Sequence, residues 1–380
     1  MHPCRRRPST AGDNFQVMHS KISSAASAAL LALSVTLLAA CSSPSTSPNA
    51  GAAASNAGSL KTHVADRSAE LGRAAAALRT AATSYLELAR AANFDYAALA
   101  KDKQDDARKV LLEARQAFRN ASTSYAYMEA IVAGAPALAD FDLILDTGTS
   151  ESEGDESVVP FDLKLPDGRT LPKPGNLFGV LESTLWGTRA EYRAPGDVVF
   201  ELDGDPASTF GDVLPDANVL SGAADALADQ TAQLEKAAAA WQPSDKDAYI
   251  ALLIMLPSLG DYIAAWKESR FVMGEASVHT DYVAISRITD LDNVLKGVKL
   301  AYSAVEPQIQ SIDKAAASSI RSELDALITE IAQTAKAEAD GRRYSSLEAG
   351  ALANKTTQSG QQMADILFAI TAKSGIKIED

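Results

Sequence analysis

The sequence predicts an all-α protein with one loop-rich insertion, and three observations lead to this prediction. Apolar residues recur at three- and four-residue steps through most of the chain after residue 61, which is the spacing of one face of an α-helix. The same segments are rich in alanine, which favours helices and lets them approach closely in a bundle. Residues 140–211 differ, because they hold six prolines and nine glycines, as loop-rich segments do.

The first forty residues have the features of a cleaved membrane-targeting leader. Lys21 supplies positive charge, and Ala29–Ala40 is an apolar run that is too short to span a membrane and ends in small residues. The run leads into Leu38-Ala39-Ala40-Cys41, which resembles the lipobox of bacterial lipoproteins, in which the cysteine is lipidated and becomes the new N-terminus. An ordinary leader followed by a chance cysteine is the alternative. Met18 instead of Met1 is an alternative start of translation.

Lipidation of Cys41 predicts a protein anchored on the periplasmic side of a bacterial membrane. Ser42, instead of an aspartate, directly after the cysteine indicates the outer membrane. From Ser42 to Leu60 the chain consists mainly of small and polar residues, which cannot bury enough apolar surface to fold. We therefore expect residues 41–60 to be a flexible tether, with the membrane as a partner through the lipid on Cys41.

Charge and residue counts exclude several classes of function. The net charge is −14, and loss of residues 1–40 makes the chain more acidic, because that segment holds four basic residues and one acid. Nucleic acid and anionic lipid are therefore unsuitable partners, whereas cations and basic molecules are suitable. With Cys41 used as the anchor, no thiol remains, and only His63 and His279 remain as histidines. These counts exclude cysteine-based catalysis and histidine-rich zinc sites.

The periodic segments predict the helices in order along the chain. The predicted helices are Lys61–Ala92 and Asp95–Ala133 before the insertion, and Ala217–Trp241, Asp245–Lys267, Asp290–Ser303, Pro307–Ala337 and Ser345–Ala372 after it. Pro307 suits the first position of a helix, because a proline lacks the N–H that would be unsatisfied there. Ser345 followed by Glu348 has the spacing of a capping box, which marks a helix start.

The insertion carries its own structural signals. Phe161–Pro172 predicts a small β-hairpin that turns at Asp167-Gly168. Long irregular segments in compact proteins are usually functional or disordered, and the aromatic residues of this one favour an ordered, functional segment. Those aromatic residues are Phe178, Trp186, Tyr192 and Phe200. The chain has neither a glycine-rich phosphate loop nor the nucleophile elbow of hydrolases.

Three segments carry the candidate binding residues. Tyr125–Asp146 contains Tyr125, Glu129, Asp140, Asp142 and Asp146; Asn176–Gly187 contains Glu182; and Val278–Asp281 contains His279. Together the segments resemble the imelysin-like family of bacterial periplasmic proteins, in particular its iron-uptake lipoproteins. That family has Tyr-x-x-x-Glu, Asp-Leu-Asp-x-x-Ile-Asp, Gly-Phe-His-x-x-Glu-x-x-Leu-Trp and Ser-His-Thr-Asp patterns in the same order. The matching positions are Tyr125, Glu129, Asp140, Asp142, Asp146, Phe178, Glu182, Leu185, Trp186, His279, Thr280 and Asp281, and the resemblance covers the whole folded part.

The resemblance implies the domain organisation and the function that we expect. It implies two packed helical bundles, with residues 61–212 forming the first bundle and its insertion, and residues 213–380 forming the second. It also implies a metal site in the cleft between the bundles and a role in supplying iron to a membrane permease, which would be a protein partner. On this basis we expect a binding protein without catalytic residues.

Gly179 departs from the family pattern at an important position. It stands where the family has the histidine of its His-x-x-Glu pair, and glycine offers no ligand atom. A metal site in this chain would therefore use oxygen ligands, namely Glu129, Asp142, Asp146 and Glu182, with His279 as a further candidate. Oxygen ligands suit hard cations such as Ca²⁺, Mg²⁺ or ferric iron. Without a cation, such carboxylates raise one another's pKa, so the empty site should be partly protonated.

Each candidate residue also has an ordinary structural interpretation. For Glu129 the alternative is an ordinary solvated residue on a helix. The three aspartates follow a helix end, where aspartate often serves turns and caps. For His279-Thr280-Asp281 the alternative is that these residues cap the next helix. Asp203-Gly204-Asp205 resembles the start of a calcium loop but lacks its later ligands, which favours a turn.

Three functions remain open at this stage. The first is a lipid-anchored binding protein for iron or another metal cation. The second is a divergent scaffold or partner-binding lipoprotein that has lost metal binding, which Gly179 motivates. The third is a metallopeptidase, because imelysin-like proteins have been grouped with these enzymes. Without the motif histidine the His-x-x-Glu zinc site cannot form, so the enzyme is the weakest of the three.

Overall fold

The computed structural model describes residues 57–154, 157–202, 210–376 and 378. In this part of the chain the fold is all-α with one two-stranded hairpin, which confirms the predicted fold class. The leader and the lipobox at Leu38–Cys41 lie outside the described residues, as does Asp203-Gly204-Asp205. The predicted tether reaches Leu60, but the first helix already begins at Ala57 and buries Leu60 completely.

The helices follow one another along the chain with short connections, except in the insertion. They are α1 (Ala57–Ala91), α2 (Tyr96–Asp102), α3 (Gln104–Ala126), α4 (Glu129–Gly134), α5 (Ala139–Asp142), α6 (Leu177–Leu185), α7 (Ala217–Ala240), α8 (Asp245–Glu268), α9 (Arg270–Met273), α10 (Arg287–Ile312), α11 (Lys314–Ala339) and α12 (Ser346–Ser374). The strands are β1 (Leu163–Lys164) and β2 (Thr170–Leu171), which pair antiparallel around Gly168 as predicted.

The first bundle consists of α1, α3 and α7. Helix α1 packs against α3 along one side and against α7 along another. The predicted domain boundary between residues 212 and 213 groups α7 with the helices that follow it, and this boundary stays a prediction. Helix α7 buries an apolar stripe that includes Leu220, Leu227 and Leu234, and it packs along α1.

The second bundle consists of α8, α10, α11 and α12, with α8 at its centre. Helix α8 packs against α10 and α12. A side chain at Gly360 of α12 would place its Cβ 2.0 Å from the carbonyl oxygen of Leu256, so glycine is required for this close crossing. Among the described residues, the stretch Asp245–Ala276 has the length and apolar character of a membrane span, but 72% of its most apolar window is buried inside the protein. Packing in the core therefore accounts for its composition.

The short helix α4 links the two bundles. It packs against α8 and α10 of the second bundle, while α3 leads into it from the first. At Gly134 a Cβ would lie 2.2 Å from the Cα of Ala251 in α8, so the two backbones touch at this point. One continuous apolar core runs through both bundles. The two bundles therefore pack directly against each other.

Two predicted helix boundaries are wrong. The predicted helix Asp95–Ala133 is three helices, because the chain breaks at Lys103 and again at Tyr127 and Met128. Pro307 does not open a helix but lies inside α10. The break comes instead at Asp313, whose carboxylate accepts a hydrogen bond from the backbone N–H of Ala316 and caps α11, as an N-cap aspartate does.

The capping box at the start of α12 is present as predicted. The Ser345 side chain accepts a hydrogen bond from the Glu348 backbone N–H, and the Glu348 carboxylate accepts one from the Ser345 backbone N–H at 2.9 Å. These two bonds satisfy donors that the first turn of a helix leaves without intrahelical partners.

Candidate functional site

A cavity of about 400 Å³ lies where α4, α6, α8 and α10 meet. Its wall contains far more acidic than basic side chains. The acidic residues are Glu129, Asp146, Glu153, Glu182, Asp261, Asp281 and Asp290, and the basic ones are Arg189 and Arg287. A cavity with this balance attracts cations and repels anions.

Asp142 and Asp146 are positioned by an unusual turn of helix. At the end of α5 the chain continues into a π-helical turn, Leu143–Thr147, a local widening that occurs often at functional sites. Gly148 closes this turn, and a Cβ there would lie 2.2 Å from the Leu143 carbonyl oxygen. The turn directs Asp146 into the cavity, whereas Asp142 lies behind the wall.

Asp142 is held by two hydroxyl groups. Its Oδ1 accepts a hydrogen bond of 2.5 Å from the Tyr125 hydroxyl, and its Oδ2 accepts one of 3.1 Å from the Thr147 hydroxyl. Burial raises the pKa of Asp142 to about 7, and the nearby Asp146 adds to this rise, while the two hydrogen bonds oppose it. Asp142 is therefore a buried support for the site and is not part of the cavity wall.

Glu129 and Asp146 present free oxygen atoms to the cavity. Glu129 is only 5% exposed, and its Oε1 accepts a hydrogen bond from the Tyr262 hydroxyl. In the described part of the chain, no hydrogen bond reaches its Oε2 or either oxygen of Asp146. Burial raises the pKa of both carboxyl groups, and Asp146 raises that of Glu129 further, while Arg287 opposes both shifts.

Arg287 and Asp290 lie at the start of α10 and were not predicted as site residues. The guanidinium carbon of Arg287 is 4.2 Å from the ring centre of Tyr262 and 4.1 Å from that of Tyr282. Burial acts to lower the pKa of Arg287, but the phenol groups of Tyr282 and Tyr262 and the carboxylates of Asp290 and Asp146 raise it, and the net shift is upwards. Arg287 is therefore a permanent positive charge beside the cavity.

Asp290 is the most informative acid of the site. It is 5% exposed, and its Oδ2 lies 3.4 Å from Nη1 of Arg287. Its Oδ1 is buried and has no hydrogen-bond partner among the described residues. Burial raises the pKa of Asp290 to about 6, although the neighbouring Arg287 acts in the opposite direction. A signal in the sequence was the three-residue spacing of Arg287 and Asp290, but such pairs are common on exposed helix surfaces.

Glu182 lines the cavity, but its carboxylate is committed to the backbone of a neighbouring loop. Its Oε2 accepts a hydrogen bond of 2.7 Å from the Tyr282 N–H, and its Oε1 accepts bonds of 2.9 and 2.8 Å from the N–H groups of Val283 and Ala284. Burial raises the pKa of Glu182 to about 7, while the amides of Ala284 and Tyr282 act to lower it. The sequence did not predict this anchoring role.

His279 and Gly179 complete the set of predicted positions. His279 does not line the cavity; its Nε2 lies 2.9 Å from Oε2 of Glu268, and its side chain is 46% exposed. Gly179 lines the cavity, where an added Cβ would lie 3.2 Å from Oδ1 of Asn176, closer than an ordinary contact. Because this Oδ1 accepts the Gly179 N–H at the start of α6, a side chain at this position would press on the cap of the helix.

The structure thus brings Glu129, Asp146 and Glu182 to one cavity, with Asp142 behind them and His279 outside. Within the described residues, no three or more histidine, cysteine, aspartate or glutamate side chains stand in a ready-made metal-ligating group. The proposed set of metal ligands therefore stays a prediction. The free oxygens of Glu129, Asp146 and Asp290 have the donor chemistry that a hard cation requires.

Comparison with known families gives a match over most of the chain. The family model described as Imelysin, under the family name Peptidase_M75, matches residues 60–369. This range includes every residue that lines the cavity. Comparison with curated proteins gives no match.

Proposed function

Because the chain belongs to the imelysin family, we propose that it is a non-enzymatic binding protein that takes a hard metal cation into the cavity between its bundles. The proposal assigns the protein to the acquisition of iron or another metal cation, with the cation as its cargo. The observation that carries it is the buried Oδ1 of Asp290, which has no hydrogen-bond partner in the described structure.

Burial of a carboxylate without a partner is costly, which is why such groups pair, bind a metal or become protonated. Asp290 shares the cavity with Glu129 and Asp146, each of which also has oxygen atoms without hydrogen-bond partners in the part of the chain that the structure describes. A cation that contacted these three residues would compensate their charge. The raised pKa values fit this function, because the empty site then holds protons that an arriving cation displaces.

The residues of the cavity favour hard cations over zinc or copper. The wall offers carboxylate and hydroxyl oxygens, and Gly179 stands where a nitrogen ligand would be expected. Oxygen ligands are typical of Ca²⁺, Mg²⁺ and ferric iron, whereas zinc sites use histidine nitrogen or cysteine sulfur more often. Arg287 already neutralises part of the negative charge of the cavity. A cation of higher charge therefore competes best with Arg287 for the carboxylates.

The location of the protein is part of the same proposal. Lipidation at Cys41, with Ser42 after it, would place the protein on the periplasmic side of a bacterial outer membrane. An iron permease or a related uptake component would be its protein partner. Cell fractionation followed by antibody detection tests the anchor. We expect Cys41→Ala to move the protein from the membrane fraction to the soluble fraction, and retention of the variant in the membrane would contradict the anchor.

Two other functions have some support. Glu182 is occupied by backbone amides, and no ready-made ligand cluster exists among the described residues; both observations favour a scaffold that binds a partner protein without metal. The family name includes a peptidase, but Gly179 removes the histidine that a His-x-x-Glu zinc site needs. Cation-dependent cleavage of a peptide mixture would support the enzyme.

The test of cation binding is calorimetry with Ca²⁺, Mn²⁺ and Fe²⁺, together with Tb³⁺ luminescence, on the purified protein. We expect one cation per chain, with affinity reduced at least about tenfold by Asp290→Asn and by Glu129→Gln. The control is Asp325→Asn, which removes an exposed carboxylate from a surface pair with Lys299. Absence of binding at micromolar concentrations of every cation would reject the proposal and support the scaffold.

A further inference from the structure

One part of the cavity wall is a loop. Residues 277–286 connect a short turn after α9 to the start of α10 and have no regular secondary structure. Three residues of this loop, Asp281, Tyr282 and Ile285, line the cavity. A ligand that enters the cavity therefore meets this loop, and the position of the loop decides how closed the cavity is.

The loop is attached to the rest of the protein mainly through side chains. Nε of Arg119 donates a hydrogen bond to the Ala284 carbonyl oxygen, and Nε2 of His279 lies 2.9 Å from Oε2 of Glu268. Among the described residues, no backbone–backbone hydrogen bond connects residues 278–285 to any other element. Its backbone N–H groups at Tyr282, Val283 and Ala284 all donate to the single carboxylate of Glu182. Consecutive N–H groups that converge on one anion form a strong and localised anchor, so the Glu182 side chain of α6 is the anchor of residues 282–284.

The anchored loop is held in a strained conformation. Tyr282 has φ of 56°, in the left-handed region that residues with a Cβ rarely adopt. Its ring nevertheless lies flat against the buried guanidinium of Arg287, 4.1 Å away. Strain of this kind persists only where the surrounding contacts enforce it, and the contacts here are the Glu182 carboxylate and the Arg287 side chain.

The same carboxylate cannot easily serve a second purpose. Oε1 of Glu182 already accepts two hydrogen bonds and Oε2 accepts one. A cation that bound Glu182 would compete with these amides and would release the loop. The closed loop and direct ligation by Glu182 are therefore alternatives.

We propose that Glu182 is a positioning residue that anchors residues 277–286 as a lid over the cavity, and that release of this anchor admits the ligand. The identity of the ligand rests on the proposed function. The closed position of the lid does not, because the protein holds the loop in place without a ligand. Glu182 then acts through Tyr282, which covers Arg287, and through Asp281, which adds a carboxylate to the wall.

Hydrogen exchange of the metal-free, full-length mature protein tests the lid directly. We expect slow exchange at the amides of Tyr282, Val283 and Ala284 and fast exchange at residues 278–281. Glu182→Ala should accelerate exchange at the three amides at least about tenfold and leave exchange in α8 and α12 unchanged. Equal exchange in the variant and the wild type would overturn the proposal.

Two further variants separate the anchor from other effects. Tyr282→Gly keeps the backbone N–H and suits the positive φ, so protection of Val283 and Ala284 should persist although the ring is lost. Asp325→Asn removes an exposed carboxylate that pairs with Lys299 on the surface, and should leave exchange of the loop unchanged. If Asp325→Asn released the loop as strongly as Glu182→Ala, the specific anchoring role would be wrong. If Glu182→Ala unfolds, Glu182→Gln replaces it, with a smaller acceleration expected.

Binding kinetics distinguish a failure of the lid from a failure of the proposed function. With Tb³⁺ as the probe, Glu182→Gln should raise the association rate several-fold, because the weakened anchor lets the lid open more often. A slower association in that variant would contradict the lid and indicate that Glu182 is a ligand. If no cation binds the wild type, the proposed function fails, and the exchange experiment still decides whether the lid exists.

Discussion

Nη1 of Arg287 lies 3.4 Å from Oδ2 of Asp290, which is one turn further along α10. Oδ1 of the same carboxylate has no hydrogen-bond partner among the described residues. The pair is nearly excluded from solvent, with side-chain exposures of 12% and 7%. An incompletely satisfied buried pair seldom maximises stability. Its position on the wall of a carboxylate-lined cavity indicates instead that Arg287 offsets part of the negative charge of the cavity.

Replacement of Arg287 should therefore affect stability and binding in opposite directions. Arg287→Gln leaves Asp290 and Asp146 without their nearest positive charge, and loss of one partner of a buried pair costs about 3 kcal/mol of unfolding free energy. The affinity for Ca²⁺ should rise, because the resident competitor is gone. Urea unfolding and calorimetry measure the two effects.

The control for this variant is Arg321→Gln, which removes an exposed arginine from its surface pair with Glu306. Surface pairs contribute about 0–1 kcal/mol, so its stability and Ca²⁺ affinity should change little. A Ca²⁺ affinity that falls in Arg287→Gln would show that Arg287 supports the ligand and does not compete with it.

The buried acid Asp142 should make stability fall as pH rises. Its folded-state pKa is raised from 3.8 to about 7, so the folded protein binds more protons than the unfolded chain between these values. The stabilising contribution of this group is then fully present below about pH 4 and is lost as pH rises through about 7. The unfolding free energy should fall between pH 5 and pH 7.5, as measured in urea.

Asp142→Asn keeps an acceptor for the Tyr125 hydroxyl but cannot ionise. Its unfolding free energy should therefore decline less than that of the wild type over the same pH range. Saturating cation should also flatten the wild-type decline, because it stabilises the ionised carboxylates. Equal slopes for wild type and variant would show that Asp142 ionises normally in the folded protein.

The contact between α4 and α8 should not tolerate a single methyl group. In Gly134→Ala the new Cβ would lie 2.2 Å from the Cα of Ala251, and the overpacking should cost about 1–3 kcal/mol. Gly350→Ala in α12 is the matched control, since its Cβ would be 3.8 Å from the nearest atom, on the Lys267 side chain. The control should be neutral or stabilising by about 0.5–1 kcal/mol. Thermal unfolding of both variants compares them, and similar melting temperatures would contradict the close contact.

Periodicity and capping signals were sufficient to predict the fold class, and the hairpin at Gly168 and the cap at Ser345 were also correct. These features depend on neighbours within a few residues. Pro307 misled the prediction because a proline is tolerated inside a helix when tertiary packing stabilises the surrounding turns, and α10 packs along α8 and α11.

The candidate site could be predicted only in part. Glu129, Asp146 and Glu182 were identified because the family patterns mark them. Arg287, Asp290 and Tyr262 were missed, since each has an ordinary position in a helix and acquires its role only when α8 and α10 bring it to the cavity. The role of Glu182 depends on a loop one hundred residues away, a contact that no local pattern reveals.

Gly179→His restores the family's His-x-x-Glu pattern and should change which cations the cavity prefers. The new Cβ would lie 3.2 Å from Oδ1 of Asn176, which caps α6, so Asn176 must shift slightly, and the variant should fold with a lower melting temperature than the wild type. Histidine and glutamate three residues apart share one helix face, and an imidazole nitrogen suits Zn²⁺ and Fe²⁺ better than Ca²⁺. We expect Zn²⁺ affinity to rise at least about tenfold while Ca²⁺ affinity stays the same, as measured by calorimetry. Gly179→Ala is the control for the added Cβ and should show neither change. If Zn²⁺ affinity stays unchanged in Gly179→His, Glu182 remains committed to the amides of residues 282–284, and the anchor and the metal site compete for the same carboxylate.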